Sequence, residues 1–289
     1  MQAYHIPVLL KESIEALNIK PDGIYVDCTL GEAGHSIEIL KKISKKGKLY
    51  SIDQDTEAIK FVSETYPREL STGNWELVHT NFKNISKIGD IKVDGILMDL
   101  GVSSRQLDQK ERGFTYQQAD AQLDMRMDTG LGVTASDLLK ALNDKELEKL
   151  FRLYGEERFA GKIARAIKKR DIRTVGDLTS LIYKVVPATT RREDSHHPAR
   201  RVFQALRIAV NDELNSLREG LDNAFKILNS RGRLVVITFH SLEDRITKEF
   251  FKSVSDNSVI IGDITIPTEE EIERNPRSRT SKLRVLEKL

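Results

Sequence analysis

Between Asp94 and Asp108 the chain reads DGILMDLGVSSRQLD, an apolar run that ends on Asp99 and turns through Gly101, Ser103 and Ser104. A carboxylate and hydroxyls in a tight turn present hydrogen-bond acceptors to a small donor. An amine on an aromatic ring is such a donor, and one that needs help to react. Its lone pair is delocalised into the ring; an acceptor on its N–H favours pyramidal geometry and frees the pair to attack an electrophilic carbon. Asp99 is the first candidate for that acceptor. The alternatives are that it orders the turn, or that it contacts the amino-acid part of a bound cofactor. Ser103 is a second candidate acceptor, and Gln106 can reach the same cleft with donor and acceptor atoms.

The partner of such an amine is suggested upstream. IYVDCTLGEAGHSIEIL (24–40) passes from strand residues through a short loop into a helical pattern, with Asp27, Gly31 and Gly34 in DCTLGEAGHS. Small residues let backbone amides come close to a ligand. A dinucleotide site carries G-x-G-x-x-G for its pyrophosphate, and only G-x-x-G is present here. The D-x-x-x-G-x-x-G pattern fits S-adenosylmethionine, whose carboxylate, amine and ribose need hydrogen bonds but no phosphate nest. Asp53 ends the next apolar run, about twenty residues beyond the loop, where a carboxylate accepts both ribose hydroxyls. Capping the following helix is the other reading of Asp53, and Asp55 fits that role better. Phe82 in HTNF (79–82) either stacks on the adenine or packs in the core, and Cys28 is expected in the core. A sulfonium donor needs no metal, so alignment and electrostatics are the expected contributions. In TFHSLEDR (238–245), His240 either takes the amine proton or bonds nearby backbone. Glu243 and Asp244 are expected to open a helix.

The elements that would position these residues are legible as short apolar, β-branched runs. They are GIYVDCT (23–29), KLYSID (48–53), WELVH (75–79), VDGILMD (93–99) and GRLVVITFH (232–240). Helical patterns over 36–45 and 55–65 separate the early strands. Such alternation implies a doubly wound α/β sheet with ligands at the carboxyl ends of the strands. From about Thr134 to Leu228 only helical patterns follow. TASDLLKAL has a cap signal at its start. GEERFAGKIARAIKKR puts Phe159, Ile163 and Ile167 on one face. TVGDLTSLIYKVV stops at Pro187, and the segment from Pro198 reads as one long helix. The expected organisation is a discontinuous catalytic domain, 1–108 with 208–289, and an inserted all-helical domain, 109–207.

Composition bounds the class. Among 289 residues, 39% are hydrophobic and 31% charged, which suits a globular protein with a real core. No run of 18 apolar residues exists, so no membrane span is expected, and the N-terminus does not read as a signal peptide. A single cysteine, Cys28, excludes an internal disulfide and a cysteine-based metal cluster. Cytoplasmic location is the simple expectation. The net charge of +2 hides an asymmetry. From Arg158 to Arg207 thirteen Lys/Arg face four Asp/Glu, a local +9, which leaves −7 for the remainder. Concentrated positive charge suggests a polyanionic partner; a solvated helical face is the other reading. Arg158, Lys162, Arg165 and Lys169 recur at helical spacing and could track a phosphate backbone. Arg191, Arg192, His196, His197, Arg200 and Arg201 add a basic loop.

Nine segments, in order, carry a resemblance: HIPVLL (5–10), LGEAGHS (30–36), MDLGVSSRQLD (98–108), RGFTY (112–116), LDMRMD (123–128), YGEERFA (154–160), FQALRIAVNDEL (203–214), FHSLEDR (239–245) and NPRSR (275–279). Together they resemble the MraW/RsmH family of ribosomal small-subunit RNA (cytosine-N4)-methyltransferases, over nearly the whole chain. The resemblance implies a class I (Rossmann-like) S-adenosylmethionine-dependent methyltransferase fold with an inserted helical subdomain. It also implies action on one cytidine in the decoding region of 16S rRNA, met in the small subunit or an assembly intermediate. By motif position it implies cofactor contacts at Ala33, Gly34, His35, Asp53, Phe82, Asp99 and Gln106. Two departures stand out. Ala33 replaces a usual glycine, and Ala121-Gln122 replaces a usual Gly-Pro before LDMRMD. The Asp124, Arg126 and Asp128 of that motif read as an ion-paired lid brace, with substrate contact as the other reading. The oligomeric state stays open, a homodimer included. Two other readings are a nicotinamide-dependent oxidoreductase, disfavoured by the missing third glycine, and a non-catalytic assembly factor, disfavoured by the intact Asp53 and Asp99.

Overall fold

The computed structural model describes residues 6–193 and 197–289. The chain divides into two compact units, 1–101 with 214–289, and 102–213. The first unit begins with α1 (Leu10–Ala16), β1 (Ile24–Asp27), α2 (Gly34–Leu40), β2 (Lys48–Asp53), α3 (Thr56–Thr65), α4 (Pro67–Leu70), β3 (Trp75–His79) and β4 (Val93–Asp99). The second unit holds α5 (Ser104–Asp108), α6 (Ala135–Ala141), α7 (Asp144–Gly155), α8 (Ala160–Ile167), α9 (Val175–Val185), α10 (Ala188–Glu193) and α11 (Arg200–Asn211). Then come α12 (Glu213–Ile227), β5 (Leu228–Thr238), α13 (Ser241–Ser253), β6 (Ser258–Ile260), α14 (Glu269–Arg274) and β7 (Lys282–Lys288), which return the chain to the first unit.

The sheet order is β3-β2-β1-β4-β5-β7-β6. Strands β1 to β5 are parallel, and β7 is antiparallel to both β5 and β6. The order reverses on either side of β1, and that switch point is where parallel sheets open a crevice for a ligand. The sheet is apolar because it is covered on both faces: Val26, Leu49, Ile52, Ile96, Leu97, Val235 and Ile237 are fully buried. Burial of side chains of this size contributes roughly 1.5–3 kcal/mol each. Gly95 is required by packing, since a Cβ there would lie 2.9 Å from the Tyr25 ring. The Tyr25 hydroxyl, on the far side, accepts a bond from the Lys20 amide at 2.7 Å.

The second unit has its own core. Leu147 and Phe151 of α7, Ile163 of α8, Ile182 of α9 and Val202 and Leu206 of α11 are fully buried. Gly155 marks a close crossing, because a Cβ there would sit 2.4 Å from the Arg201 carbonyl of α11. The expected single helix from Pro198 is two helices. Asp212, at φ 50, ends α11 in the left-handed conformation, which aspartate tolerates better than most residues. The preceding Asn211 turns inward: its amide donates to the Met125 carbonyl, and its Oδ1 accepts from the Met127 N–H, both at 2.7 Å. Arg112 donates to the Arg126 and Met127 carbonyls at 3.0 Å. The 123–128 motif is thus braced from RGFTY and from α11. Its ion pair is Arg126 with Asp124, at 2.7 Å, whereas Asp128 accepts from the Gly130 amide. Ala121 and Gln122 pair with the start of α9: the Ala121 carbonyl accepts from Val175 N–H, and Gln122 bridges Thr174.

Candidate active site

Three carboxylates end three adjacent strands of the first unit: Asp27 on β1, Asp53 on β2 and Asp99 on β4. Asp27 is buried, and burial raises its pKa against the bonds from Ser36 and Thr29 that lower it. Ser36 Oγ donates to Asp27 Oδ2 at 2.6 Å, lies 2.8 Å from Ser51 Oγ, and Trp75 Nε1 donates to that same Ser51 oxygen. This network pins α2 to β1, β2 and β3. Burial pushes Asp53 up to about 6, against the bonds from the Asp55 and Gly31 amides. Those amides donate to its two oxygens at 2.9 Å each, so Asp53 shapes the glycine loop from beneath. Asp55, as expected, caps α3 by accepting from the Glu57 amide. Asp99 lies well above the usual carboxylate range, first through burial and then through the charges of Asp27 and Glu243.

The loop from β1 to α2 is strained where sequence suggested close approach. Gly31 has φ 51 and Ala33 has φ 67 with its side chain fully buried. A left-handed alanine costs about 1–2 kcal/mol relative to glycine, so Ala33 holds at some cost a backbone shape that glycine adopts freely. Gly34 admits no side chain: a Cβ would lie 2.1 Å from Pro7 Cγ. His35 is buried, and burial lowers its pKa to about 4, so its imidazole is neutral near pH 7. His35 Nδ1 lies 3.7 Å from Asp99 Oδ2. Opposite atoms of this pair, His35 Nε2 and Asp99 Oδ1, are buried without a hydrogen-bond partner. Buried polar atoms left in this state call for a ligand or water. A donor amine or hydroxyl would satisfy Asp99, and Asp53 retains lone pairs for ribose hydroxyls. The residues present therefore fit S-adenosylmethionine.

Other expected site residues sit as follows. Phe82 follows β3 and its ring packs on α12, where a Cβ on Gly220 would be 2.5 Å from it. His240 is the N-cap of α13, its ring Nδ1 accepting from the Glu243 amide at 3.4 Å, with Nε2 3.1 Å from Glu243 Oε1. Glu243 in turn accepts from the Phe239 and His240 amides. Gly101, at φ 110, lets the turn after β4 pass the Phe239 ring. In the second unit, Ser103 and Gln106 form a reciprocal cap on α5: Ser103 Oγ accepts from Gln106 N–H at 3.2 Å, and Gln106 Oε1 accepts from Ser103 N–H at 3.0 Å.

Among the basic residues, Lys162 and Arg165 lie exposed on α8, but Arg158 precedes that helix and Lys169 follows it. The expected four-residue helical stripe is therefore a two-residue one with flanking cations. Lys162 also sits 6.0 Å from the Phe159 ring. Lys169 lines a hollow of about 430 Å³ with Lys140, Lys168, Arg170 and Asp171. Arg200 and Arg201 open α11. The backbone of Arg191 and Arg192 belongs to α10, and His196 lies outside the described residues.

Two residues not expected among the site residues help build the site. Thr29 Oγ1 accepts from the Asp99 amide at 2.8 Å and lies 3.4 Å from Asp27 Oδ1. It thereby ties the end of β4 to the end of β1. Glu243, read only as a helix opener, is buried and holds the turn after β5. Its spacing from His240, three residues into a helix, is the capping-box signal that would have found it.

Sequence comparison adds what geometry alone does not. A profile described as the MraW methylase family matches residues 2–289. Ribosomal RNA small subunit methyltransferase H of Clostridioides difficile (strain 630) is 46% identical, with 100% of both chains covered. The protein of the same name from Clostridium botulinum (strain Loch Maree / Type A3) is 48% identical, again over 100% of both. A crystal structure from Clostridium thermocellum, provisionally described as an rRNA methylase, superposes with a TM-score of 0.52 at 11% identity. It covers 99% of this chain and 100% of that one, and at such identity it shows the shared fold alone.

Proposed function

This chain belongs to the MraW methylase family, and from that premise we propose that it transfers the methyl group of S-adenosylmethionine to the N4 amine of one cytidine in the decoding region of 16S ribosomal RNA. The observation that carries the cofactor assignment is the row of carboxylates at the ends of β2, β1 and β4, each with raised proton affinity. Like charges in one low-dielectric crevice favour a cationic ligand and oppose an anionic one. S-adenosylmethionine carries a sulfonium and an ammonium; the pyrophosphate of a nicotinamide dinucleotide would enter against the field. Thermal shift with each ligand separates the two readings, and stabilisation by NAD alone would support an oxidoreductase.

S-adenosylmethionine supplies an electrophilic methyl group. Asp53 would accept the ribose hydroxyls, and the loop amides around Gly31 to His35 would hold the amino-acid end. Asp99 accepts an N–H of the cytosine amine, which raises the availability of the nitrogen lone pair. Bound S-adenosylmethionine would give up its methyl carbon to that nitrogen, the carbon–sulfur bond breaking towards sulfur, and the nitrogen would then shed one proton. The methylated amine is strongly acidic until it does so, and no strong base is needed. Ser103 and His240 are the further candidates for the catalytic step, and Phe82 and Gln106 the further candidates for cofactor contact.

For RNA, the proposed surface is the inserted helical domain through Arg158, Lys162, Arg165, Lys169, Arg191, Arg192, Arg200 and Arg201. Arg200 and Arg201 stand in the first turn of a 12-residue helix, the end whose dipole disfavours cations. A phosphate backbone drawn to that surface offsets the cost. The cytosine must leave its stack to reach the methyl group. The deciding test is transfer of labelled methyl to small subunits or RNA fragments from cells lacking the enzyme. Label at N4 of one cytidine supports the assignment; label on a ring carbon, or none, overturns it.

A further inference from the structure

Two family segments, HIPVLL near the start and NPRSR near the end, have no part in the chemistry above, yet they meet each other and the glycine loop. Asn275 Nδ2 donates to the Ile6 carbonyl at 3.0 Å, and Leu9 N–H donates to Glu271 Oε1 at 2.7 Å. Asn275 and Glu271 are themselves joined, Asn275 N–H donating to the Glu271 carbonyl at 2.7 Å. Four residues, Ile6 to Leu9, are thus held at both ends by one turn of chain some 260 positions away. The restraint is needed, because Leu9 is buried and left-handed, at φ 50. A leucine adopts that conformation only where its surroundings impose it.

Between the two anchors lie the residues that touch the loop. Pro7 fills the space of the missing Gly34 side chain, and the Val8 backbone lies beside the His35 ring, where it offsets part of the fall in its pKa. That ring faces Asp99 across 3.7 Å. Pro7 is rigid and the fit at Gly34 is tight, so a shift of the 6–9 segment is a shift of the loop.

We propose that Ile6–Leu9 is a strap that sets the glycine loop and His35 for the methyl donor, and that Glu271 and Asn275 are positioning residues for donor binding. This rests on the reading that the glycine loop holds S-adenosylmethionine. Neither residue touches the reacting atoms. Their loss loosens the loop before the donor arrives and leaves the assembled site intact at saturation, so KM rises and kcat does not fall.

The test uses the full chain with Glu271→Ala, Glu271→Gln and Asn275→Ala. Calorimetric Kd for S-adenosylmethionine, steady-state KM and kcat, melting temperature and amide exchange at Gly34 to Ile37 are measured for each. Glu271→Ala and Asn275→Ala are expected to raise Kd and KM about five- to tenfold, the scale of one hydrogen bond. Their kcat should stay within about twofold of wild type, with faster exchange in the loop. Glu271→Gln keeps an acceptor for Leu9 N–H and should restore wild-type Kd. Alanine variants with lower melting temperature but wild-type Kd and KM would leave the strap a mere fold contact and overturn the proposal. Equal impairment in Glu271→Gln would overturn it as well. A wild-type chain that fails to bind S-adenosylmethionine overturns the donor site itself, and the strap's role with it.

Discussion

Asp53 offers a prediction whose size follows from its surroundings. Its free carboxyl sits at about 6 because burial disfavours the charged form. Ribose hydroxyls donate to the ionised carboxylate and gain little from the protonated one. At pH 5 about one molecule in eleven carries an ionised Asp53, and at pH 7 about ten in eleven. Donor binding should therefore strengthen as pH rises from 5 to 7, by about tenfold in Kd, or about 1.4 kcal/mol. Two nearby groups titrate outside this window. His35 titrates at about 4, and an α-amino group on the ligand titrates at about 8. Isothermal titration with S-adenosylmethionine across this range gives the slope. Repeating it at pH 6 in two buffers of different ionisation enthalpy counts the proton released. Asp53→Asn should bind weakly with no slope in this range. A wild-type Kd that is flat between pH 5 and 7 would refute the reasoning. A slope that persists in Asp53→Asn would move the titration to Asp27 or Asp99, whose pKa values are also raised. For folding the sign is reversed. The native state holds this proton more tightly than the unfolded chain at 3.8. The cost of the buried charge is absent below 3.8, develops as pH rises from there and is complete above about 6.

The remaining predictions concern turnover, RNA and the second unit. Asp99→Asn should cut kcat by about a hundredfold at saturating donor, the usual loss for one misplaced electrostatic group; normal single-turnover rates would remove Asp99 from the chemistry. Arg165→Glu with Lys169→Glu should weaken RNA binding and flatten its salt dependence by roughly two charges, with donor Kd unchanged in calorimetry. Asn211→Ala strands the Met125 carbonyl and the Met127 N–H, so urea unfolding should show a loss of about 2–4 kcal/mol.

Much of the sheet was legible because its strands are buried on both faces. The runs 48–53, 75–79 and 93–99 match β2, β3 and β4 end for end, since each is a short apolar stretch that stops at a polar residue. β5 begins four residues earlier than its apolar run suggested, through the polar Asn229 to Arg231. β6 and β7 gave no such signal. In KLRVLEK the charged residues are the paired ones: Arg284 bonds Asp244, and Glu287 bonds Arg231 and Arg233. Their partners lie on distant elements, which local pattern does not report. The break at Asp212 was hidden for a similar reason. No glycine or proline marks it; the inward turn of Asn211 does. In the candidate site, the acids and the glycine loop stood out because strand ends on a parallel sheet are where ligands bind. Thr29 did not, because its hydroxyl acquires a role only when β4 is laid beside β1.

The acids at the sheet edge also explain how the site can favour the reaction without a dedicated base. Burial raises the proton affinities of Asp27, Asp53 and Asp99, and neighbouring carboxylates add to it at Asp53 and Asp99. On the proposed assignment a cationic donor would favour their charged forms, which would couple its binding to ionisation of the edge. Transfer moves the positive charge off sulfur and onto the acceptor nitrogen. In its proposed role Asp99 would face a group that was neutral and has become cationic, so its attraction would grow along the reaction coordinate, the condition for lowering a barrier rather than merely tightening binding. Thr29 holds the Asp99 backbone by its hydroxyl, and the carboxylate need not reorient as the charge arrives. Neutral His35, 3.7 Å away, adds no competing cation. Electrostatic gain at Asp99 therefore requires that His35 stay unprotonated, and burial alone secures this above about pH 4.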